Sequence, residues 1–171
     1  MSSTFALADL PSNENNVHEA KIKLRPYRDG DTEAFRLLNE AWIEKYFGLE
    51  DADRIVLNDP EHHVLAKGGH IFFATAAGAP IGCCALKPME PGEYEVAKMA
   101  VAEPWQGRGI GRRVLQYTVE QARALGARRL YLETNDRLAN AIHLYESLGF
   151  KHLPPKQSPY VRANVFMELV F

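Results

Sequence analysis

The sequence predicts a single mixed α/β domain of the α+β class, in which about four helices flank one mixed, mostly antiparallel sheet of six or seven strands. Its 171 residues suit one domain. The residue patterns follow the order strand, helices, three strands, helix, strand, helix, two strands. Three consecutive strands joined by turns imply antiparallel pairing, and the strand–helix–strand passage from Val96 to Glu133 implies at least one parallel crossover.

The N-terminal part of the chain predicts a strand followed by helices. The stretch KIKLRPY alternates apolar and polar residues and ends at Pro26. RDGDTEAFRLLNEAWIEKYFG is typical of a helix, with Asp31 as its candidate N-cap and Gly48 beyond its C-terminus. A second short helix or an irregular stretch continues as far as Asp59 and Pro60. The predicted apolar face of the first helix consists of Ala34, Leu37, Leu38, Ala41 and Trp42.

The middle of the chain predicts three strands. GHIFFATAAGAPIGCCALKP is typical of a hairpin whose turn lies at Ala76–Pro80. PGEYEVAKMAV adds a strand after the turn at Pro91 and Gly92. These three strands form the predicted antiparallel part of the sheet.

Helices and strands alternate in the rest of the chain. IGRRVLQYTVEQARALG predicts a helix that is ended by Gly126, and NAIHLYESLG predicts another. ARRLYLET, FKHL and VRANVFMELVF predict strands. The predicted inner faces are Val114, Thr118, Ala122 and Leu125 in the first of these helices, and Ala141, Leu144, Tyr145 and Leu148 in the second.

Composition argues against two classes of partner. Apolar residues make up 46% of the chain and charged residues 25%, close to the average for soluble globular proteins. The formal charge of −2 gives no overall attraction to nucleic acid, so an anion site must be local. No segment approaches the ~20 apolar residues needed to cross a bilayer. We therefore expect no nucleic-acid or membrane partner.

The first residues and the cysteines bear on domain boundaries and compartment. Residues 1–20 are expected to form a loose tail, since they lack the basic and long apolar regions of a secretory signal; the domain is expected to span residues 21–171. The adjacent Cys83 and Cys84 cannot form a long-range disulfide and are expected to be buried strand thiols in a reducing cytoplasm. No Cys and His spacing indicates a metal site.

The stretch EPWQGRGIGRR concentrates glycine and arginine between a predicted strand and a predicted helix. Without side chains at Gly107, Gly109 and Gly111, the backbone can direct successive N–H groups at a phosphate beside a helix N-terminus. Arg108, Arg112 and Arg113 add charge that favours pyrophosphate. The stretch lacks the Lys and Ser/Thr of a P-loop, and its G-x-G-x-G spacing differs from the dinucleotide fingerprint.

The pattern that fits is Q-x-x-G-x-G, formed by Gln106, Gly109 and Gly111. With this loop the sequence resembles the GNAT superfamily of N-acetyltransferases. The resemblance extends over roughly Ile22 to Phe171: IKLRPYRDGD is similar to the first strand and turn of the family, APIGCCAL to its second hairpin, and NAIHLYESLGF to its late helix and strand. It implies the GNAT fold and the use of acetyl-CoA.

The resemblance also implies where acetyl-CoA binds. The cosubstrate would lie between two parallel strands that splay apart, here those ending near Val101 and Glu133. Many family members carry an asparagine where this chain has Leu138, so Asn135 or Asn140 is expected to take over that contact. The expected cofactor-binding residues are Met99, Ala100, Val101, Gln106, Gly107, Arg108, Gly109, Ile110, Gly111 and Arg112, with Asn135 and Asn140 as the two alternatives.

Three candidate catalytic residues follow from the same resemblance. Tyr145 is the expected general acid for the departing thiolate; alternatively it only completes the apolar face of its helix. Glu95 or Glu93 is the expected general base, acting through water, the alternative being surface carboxylates at a strand end. Tyr160 and Arg162 are expected near the acceptor. There Arg162 either clamps a substrate carboxylate or pairs with a Glu on a neighbouring strand.

The predicted function is an N-acetyltransferase that moves the acetyl group of acetyl-CoA to a primary amine, of a small molecule or a peptide, by direct attack in a ternary complex. The alternatives are another acyl donor, an O-linked acceptor, or a coenzyme A-binding regulatory module. The arginines between positions 108 and 129 suggest a further alternative, a nucleic-acid-binding protein, against which the overall negative charge argues. The final strand is expected to be exposed and able to pair across a homodimer axis.

Overall fold

The computed structural model describes residues 21–171, so the predicted tail at residues 1–20 lies outside the described residues. The strands are β1 (Ile22–Pro26), β2 (His70–Ala76), β3 (Ala79–Pro88), β4 (Glu93–Val101), β5 (Arg129–Thr134), β6 (Lys151–Leu153) and β7 (Val165–Val170). The helices are α1 (Thr32–Tyr46), α2 (Asp51–Asn58), the single-turn α3 (Pro60–His63), α4 (Ile110–Ala124) and α5 (Ala139–Ser147).

The strands form one seven-stranded sheet in the order β1-β2-β3-β4-β5-β7-β6. Every pairing is antiparallel except the one between β4 and β5, which is parallel, as the crossover from Val96 to Glu133 predicts. The mixed, mostly antiparallel sheet is therefore confirmed. The expectation of an exposed final strand is wrong, because β7 is paired on both sides over Phe166–Glu168 and the edges of the sheet are β1 and β6.

Helices cover both faces of this sheet. Asn39 of α1 donates a hydrogen bond to the sulfur of Cys83 at 3.4 Å. A Cβ on the adjacent Gly82 would instead meet Ile110 and Val114 of α4. Since neighbouring residues of a strand point to opposite faces, α1 and α4 lie on opposite sides of β3. The predicted hairpin is confirmed by the β2–β3 pairing, with Ala77 and Gly78 in its turn at φ of 48° and 82°.

The first helix begins and packs differently from the prediction. Leu38 of the predicted face is buried, and Ala34 and Trp42 pack on the core partly buried. The other buried residues are Phe35, Asn39 and Ile43 and Ala41 is exposed, so the buried face is rotated from the predicted one. Asp31 precedes the helix but its side chain caps no helical N–H. Its carboxylate accepts the Arg25 guanidinium at 2.7 Å and the Arg28 N–H at 2.7 Å, so it fixes the turn before the helix.

The other predicted inner faces hold with one exception. Val114, Thr118 and Ala122 are buried in α4, but Leu125 is 45% exposed because the helix ends at Ala124. Tyr145 is the buried residue of α5, and Ala141, Leu144 and Leu148 pack on the core partly buried. Cys83 and Cys84 are both buried, free thiols of β3, as predicted.

A buried ion cluster connects three separate parts of the chain. Asp53 of α2 is fully buried, and its carboxylate accepts Lys98 Nζ of β4 at 2.6 Å and both terminal nitrogens of Arg162 at 2.7 Å. Arg162 also contacts Glu50 at 3.1 Å, and Lys98 donates to the hydroxyl of Tyr160 at 3.1 Å. The cluster therefore holds the segment before β7, residues 154–164, against α2 and β4.

The ion pairs decide the protonation state of Asp53. Burial acts to raise the pKa of this carboxyl, but hydrogen bonds from Arg162 and the charge of Lys98 outweigh burial and lower its pKa to about 2. Asp53 is therefore ionised at neutral pH. A buried charge kept in this way is costly to leave without its partners.

Replacing Asp53 tests the contribution of this cluster. Asp53→Asn is expected to lower the free energy of unfolding at pH 7 by about 3–5 kcal/mol, because Lys98 and Arg162 lose their shared buried carboxylate. Chemical denaturation of the variant beside the wild type measures the difference. Asp51→Asn is the matched control in the same helix, since Asp51 is 98% exposed and contacts Arg54 at the surface; it should leave stability close to wild type.

The loss caused by Asp53→Asn should also depend on pH. The folded pKa of about 2 lies below the unfolded value of about 3.9, so the carboxylate stabilises the fold fully above about pH 5 and loses this effect as the pH falls toward 2. The gap between wild type and variant should therefore narrow between about pH 5 and pH 3. A gap that is constant over this range contradicts the assignment.

Candidate active site

The two parallel strands at the centre of the sheet separate after a short stretch of pairing. Register pairs join β4 and β5 only from Glu93–Arg129 to Glu95–Tyr131. Beyond them both strands continue, β4 to Val101 and β5 to Thr134. The splay implied by the family resemblance is thereby confirmed. Polar backbone groups along the two diverging edges need partners other than each other.

An irregularity in β4 accompanies the separation. The register between β3 and β4 shifts between Cys83 and Ala85, where β4 carries one extra residue. Lys98 lies in this bulge with φ of 52°, a left-handed conformation that is uncommon for a residue with a side chain. The bulge changes which side chains of β4 face the cavity, and it brings Lys98 to the buried ion cluster.

A cavity of about 110 Å³ opens where the strands diverge. Its wall is formed by the C-terminal half of α1, β4, the end of β5, Leu138 before α5, Tyr145 within α5, and the segment before β7 (residues 154–164). The structure thus brings together six residues that the sequence predicts for the site: Glu95, Met99, Asn135, Tyr145, Tyr160 and Arg162.

Other predicted residues lie outside the cavity. Glu93 stands at the paired end of β4, where its carboxylate contacts Arg129 at 3.1 Å. Asn140 is exposed on α5. Ala100 and Val101 continue β4 toward the glycine–arginine loop, and the side chain of Gln106 donates to the Val101 carbonyl at 2.9 Å. The loop is therefore attached directly to the end of the splayed strand.

The loop has the backbone geometry of an anion-binding turn. Gly107 and Gly109 have φ of 74° and 79°, which glycine adopts without strain. Gly109 precedes α4, no side chain caps this helix, and the first backbone bond into it runs from the Arg113 N–H to the Gly109 carbonyl. Among the described residues, the N–H groups of residues 110–112 have no partner, so they are free for an anion.

Gly111 leaves room that the protein itself does not require. A Cβ there would lie 3.8 Å from Val101 and 3.9 Å from Leu144, which are ordinary contact distances, and its φ is not left-handed. Neither strain nor crowding therefore explains the glycine. Nearby, Arg108 bonds the Pro104 carbonyl at 3.1 Å and Arg112 bonds Ser147 at 2.9 Å, so both guanidinium groups are positioned around the loop. The loop thus combines unpaired N–H groups with two guanidinium groups.

Tyr145 lines the cavity from α5. The side chain is 8% exposed and lines the cavity wall, and its ring packs 5.9 Å from that of Phe150. Its hydroxyl has no hydrogen-bond partner among the described residues. Burial, with a smaller effect of the nearby Cys84, raises its pKa well above the ordinary value, so it remains a neutral donor. Tyr145 is thus both a core residue and an available hydroxyl.

Glu95 is the predicted base candidate that faces the cavity. Its pKa is raised, mainly by burial and also by the charge of Glu133, while Lys87 at 3.8 Å acts in the opposite direction. A raised pKa brings a carboxylate closer to the range in which it exchanges protons near neutral pH. The environment of Glu95 therefore suits proton transfer better than that of a solvated strand-end carboxylate.

The remaining predicted residues have partners within the protein. Asn135 donates to the Arg162 carbonyl at 2.7 Å and accepts the Arg137 N–H at 2.8 Å. Arg162 pairs with carboxylates, as in the second alternative from the sequence, but they belong to α2 and the residue before it instead of a neighbouring strand. Both residues shape the cavity wall.

Sequence reasoning missed Asp53, Lys98 and Glu133. The stretch DADRIVLN is typical of a surface helix, and nothing local marks Asp53 as buried. Lys98 lies in a strand whose bulge depends on pairing with β3. Glu133 gave the one usable signal, because it is an acidic residue at the end of an apolar strand that the resemblance places beside the splay.

Two further observations narrow the chemistry. Burial raises the pKa of Cys84 to about 12 and that of Cys83 further, so neither thiol is a nucleophile near neutral pH. Across residues 21–171, no three His, Cys, Asp or Glu side chains are grouped to hold a metal ion. In the same part of the chain, no helix combines the length and apolar character that crossing a bilayer requires.

Comparison with known proteins agrees with this geometry. A family model described as the Acetyltransferase (GNAT) family matches residues 32–150. The uncharacterized N-acetyltransferase YjgM of Escherichia coli K12 is 32% identical over 119 residues, which cover 65% of this chain and 71% of that protein.

Solved structures show the same fold. A GNAT-family acetyltransferase from Staphylococcus aureus Mu50 superposes with a TM-score of 0.76 at 20% identity, covering 86% of this chain and 98% of the other. A Bacillus subtilis acetyltransferase in complex with CoA superposes with a TM-score of 0.68 at 18% identity, covering 88% and 99%. Since the family model matches more than half of the sequence, the chain belongs to the GNAT family of acetyltransferases.

Proposed function

We propose that this protein transfers the acetyl group of acetyl-CoA to a primary amine by direct attack within a ternary complex. The observation that carries the proposal is the split between β4 and β5, which joins a phosphate-type loop at one end to the cavity with Glu95 and Tyr145 at the other. The similar Bacillus subtilis acetyltransferase was solved in complex with CoA, which supports coenzyme A as the ligand.

The residues of the loop and of β4 would hold the cosubstrate. The N–H groups of residues 107–112, with Arg108 and Arg112, bind the pyrophosphate, and the main chain of Met99–Val101 pairs with the pantetheine amides. The Val101 N–H then faces the thioester carbonyl, where negative charge develops. Asn135 lines the cavity and Asn140 does not, so Asn135 is the better candidate for a further cofactor contact.

The chemical step needs a base and a proton donor from the protein. A lysine-type amine has a pKa of about 10.4, so exposing its lone pair at pH 7 costs roughly 4.6 kcal/mol. Glu95, through water, takes this proton. The amine nitrogen would then form a bond to the acetyl carbon, the carbon–sulfur bond would break, and the hydroxyl of Tyr145 would donate a proton to the departing sulfur. The second proton that the nitrogen loses on becoming an amide would pass through water to the Tyr145 oxygen and restore the hydroxyl.

Direct attack is favoured because the described cysteines cannot form an acetyl-enzyme. Cys83 and Cys84 are fully buried in β3 with raised pKa values, and a thiol must ionise to act as a nucleophile. Neither cysteine can therefore carry the acetyl group between the donor and the acceptor.

Gly111→Ala tests the binding of the cosubstrate. The new methyl group fits the protein at ordinary distances, so stability should be unchanged or slightly higher. If coenzyme A passes over this position, its affinity should fall by about tenfold or more, that is by about 1.4 kcal/mol or more of binding free energy. Titration calorimetry with acetyl-CoA measures the change.

The matched control for Gly111→Ala is Gly48→Ala, at an exposed glycine with open space around it. This control should bind acetyl-CoA like the wild type. If Gly111→Ala binds acetyl-CoA with full affinity, or if the wild type gives no binding heat, the proposal that the cosubstrate binds at the loop is contradicted.

Tyr145→Phe tests the proton donor. Loss of the hydroxyl should lower kcat by about a hundredfold, at the low end for general acids, because a coenzyme A thiolate with pKa near about 8.5 is already a fair leaving group. The affinity for acetyl-CoA should stay the same. Since the pKa of Tyr145 is raised, kcat of the wild type should show no loss from its ionisation below about pH 10.

An acceptor screen of the wild-type protein separates an enzyme from a binding module. Release of free thiol is followed with amino acids, polyamines, aminoglycosides and peptide N-termini as acceptors. If the wild type binds acetyl-CoA but acetylates none of these amines, a regulatory coenzyme A-binding module becomes the better interpretation.

Glu95→Gln and Glu93→Gln together identify the base. Glu95→Gln should lower kcat/KM for an alkyl amine by about 10²–10³-fold and remove the loss of activity at acid pH, because the titrating carboxyl is gone. Glu93→Gln should retain most of the activity, since Glu93 is paired with Arg129 outside the cavity. The reverse ranking would assign the base to Glu93.

A further inference from the structure

We propose that Glu133 is a second acidic residue of the acceptor site, and that Glu95 and Glu133 together bind the acceptor as an alkyl ammonium ion. The inference rests on the proposed acetyl transfer and names the class of its acceptor. Glu133 lies on β5, across the split from Glu95 on β4, and both side chains line the cavity.

The sheet register places the two carboxylates on one face. Glu95 pairs in register with Tyr131, and register partners in neighbouring strands point to the same face. Glu133 follows Tyr131 by two residues, so its side chain also points to that face. The strands separate at this level, and the two acids therefore face the open side of the split from its two walls.

Glu133 is held in place by neutral donors only. One carboxylate oxygen accepts the Tyr131 hydroxyl at 3.0 Å and the other accepts the Ser158 hydroxyl. These bonds orient the carboxylate without neutralising it. Among the described residues no Lys, Arg or His lies within 4.0 Å of it, whereas Glu95 has Lys87 at 3.8 Å. Negative charge is therefore left available for a ligand.

The cations elsewhere in the cavity wall are already paired. Arg162 and Lys98 face the carboxylates of Asp53 and Glu50, so this cluster contributes two positive and two negative charges. It leaves little attraction for a substrate carboxylate. The charged and titratable groups that act on Glu95 or Glu133 are Lys87 of β3, Lys98 of β4, Tyr131 of β5, and Lys156 and Tyr160 of the segment before β7.

The rest of the cavity suits the carbon chain of an alkyl amine. Trp42 and Phe47 at the end of α1 and Leu138 before α5 also line the cavity. Aromatic faces also attract a cation. At about 110 Å³ the cavity is far smaller than the roughly 300–1,000 Å³ of sites that enclose whole ligands, so it admits the end of an acceptor. A primary aminoalkyl group has this shape and charge.

The test is Glu133→Gln with putrescine as the acceptor probe. The amide keeps the size and one acceptor oxygen but removes the charge. We expect kcat/KM for putrescine to fall by about tenfold or more, mainly through KM, since an interaction of about 1.4 kcal/mol or more is lost. Glu120→Gln, an exposed carboxylate on α4, is the control and should behave like the wild type.

The pH profile separates a charge effect from a structural one. Removing the negative charge of Glu133 should lower the pKa of Glu95, so the acid limb of kcat/KM should move to lower pH. The affinity for acetyl-CoA should not change. A loss of activity with an unmoved acid limb, or with weaker acetyl-CoA binding, would contradict the proposal.

Wild-type protein provides a test that does not depend on the variant folding. Butylamine should be a better acceptor than 4-aminobutanoate, which adds a carboxylate at the far end of a similar chain. Equal kcat/KM for the two, or a preference for the carboxylate, would overturn the inference and leave acetyl transfer standing. Failure of the wild type to acetylate any amine would overturn the proposed function as well.

Discussion

The arrangement of the site depends on the early end of pairing between β4 and β5. Three register pairs join these strands, and then each continues without the other. A sheet normally satisfies its backbone groups internally, so two diverging edges in the middle of a sheet are tolerable only where something else can bond to them. Here the divergence leaves a groove with polar walls in an otherwise continuous sheet.

Several contacts fix the elements that surround the gap between β4 and β5. The bulge at Lys98 changes the course of β4, and the side chain of Gln106 ties the loop to the carbonyl of Val101. On the other side, the ion cluster around Asp53 holds the segment before β7 over the cavity. The glycine–arginine loop follows the end of β4, and Tyr145 and Glu95 line the cavity between the strands. Groove, loop and cavity are thus parts of one arrangement.

The parts of this arrangement that depend on local sequence were predicted well. The left-handed glycines at 107 and 109 belong to a contiguous loop, and the order of strands and helices follows from residue periodicity. Tyr145 was found through the motif around it. Asp53 and its ion pair with Arg162 could not be found in this way, because the pair joins residues more than a hundred positions apart and its burial comes from packing. The rotated face of α1 and the interior position of β7 also depend on distant contacts.

The irregular segment between β6 and β7 forms part of the cavity wall. It contributes Tyr160 and Arg162 to the cavity wall, and its Ser158 donates a hydrogen bond to Glu133, yet it belongs to neither the sheet nor a helix. The proposed binding site for the acetyl donor, by contrast, is built from one continuous stretch of β4 and the loop after it. Because the two proposed halves of the site come from separate parts of the chain, a substitution or a length change in this segment would alter the acceptor pocket without changing the residues proposed to bind the coenzyme.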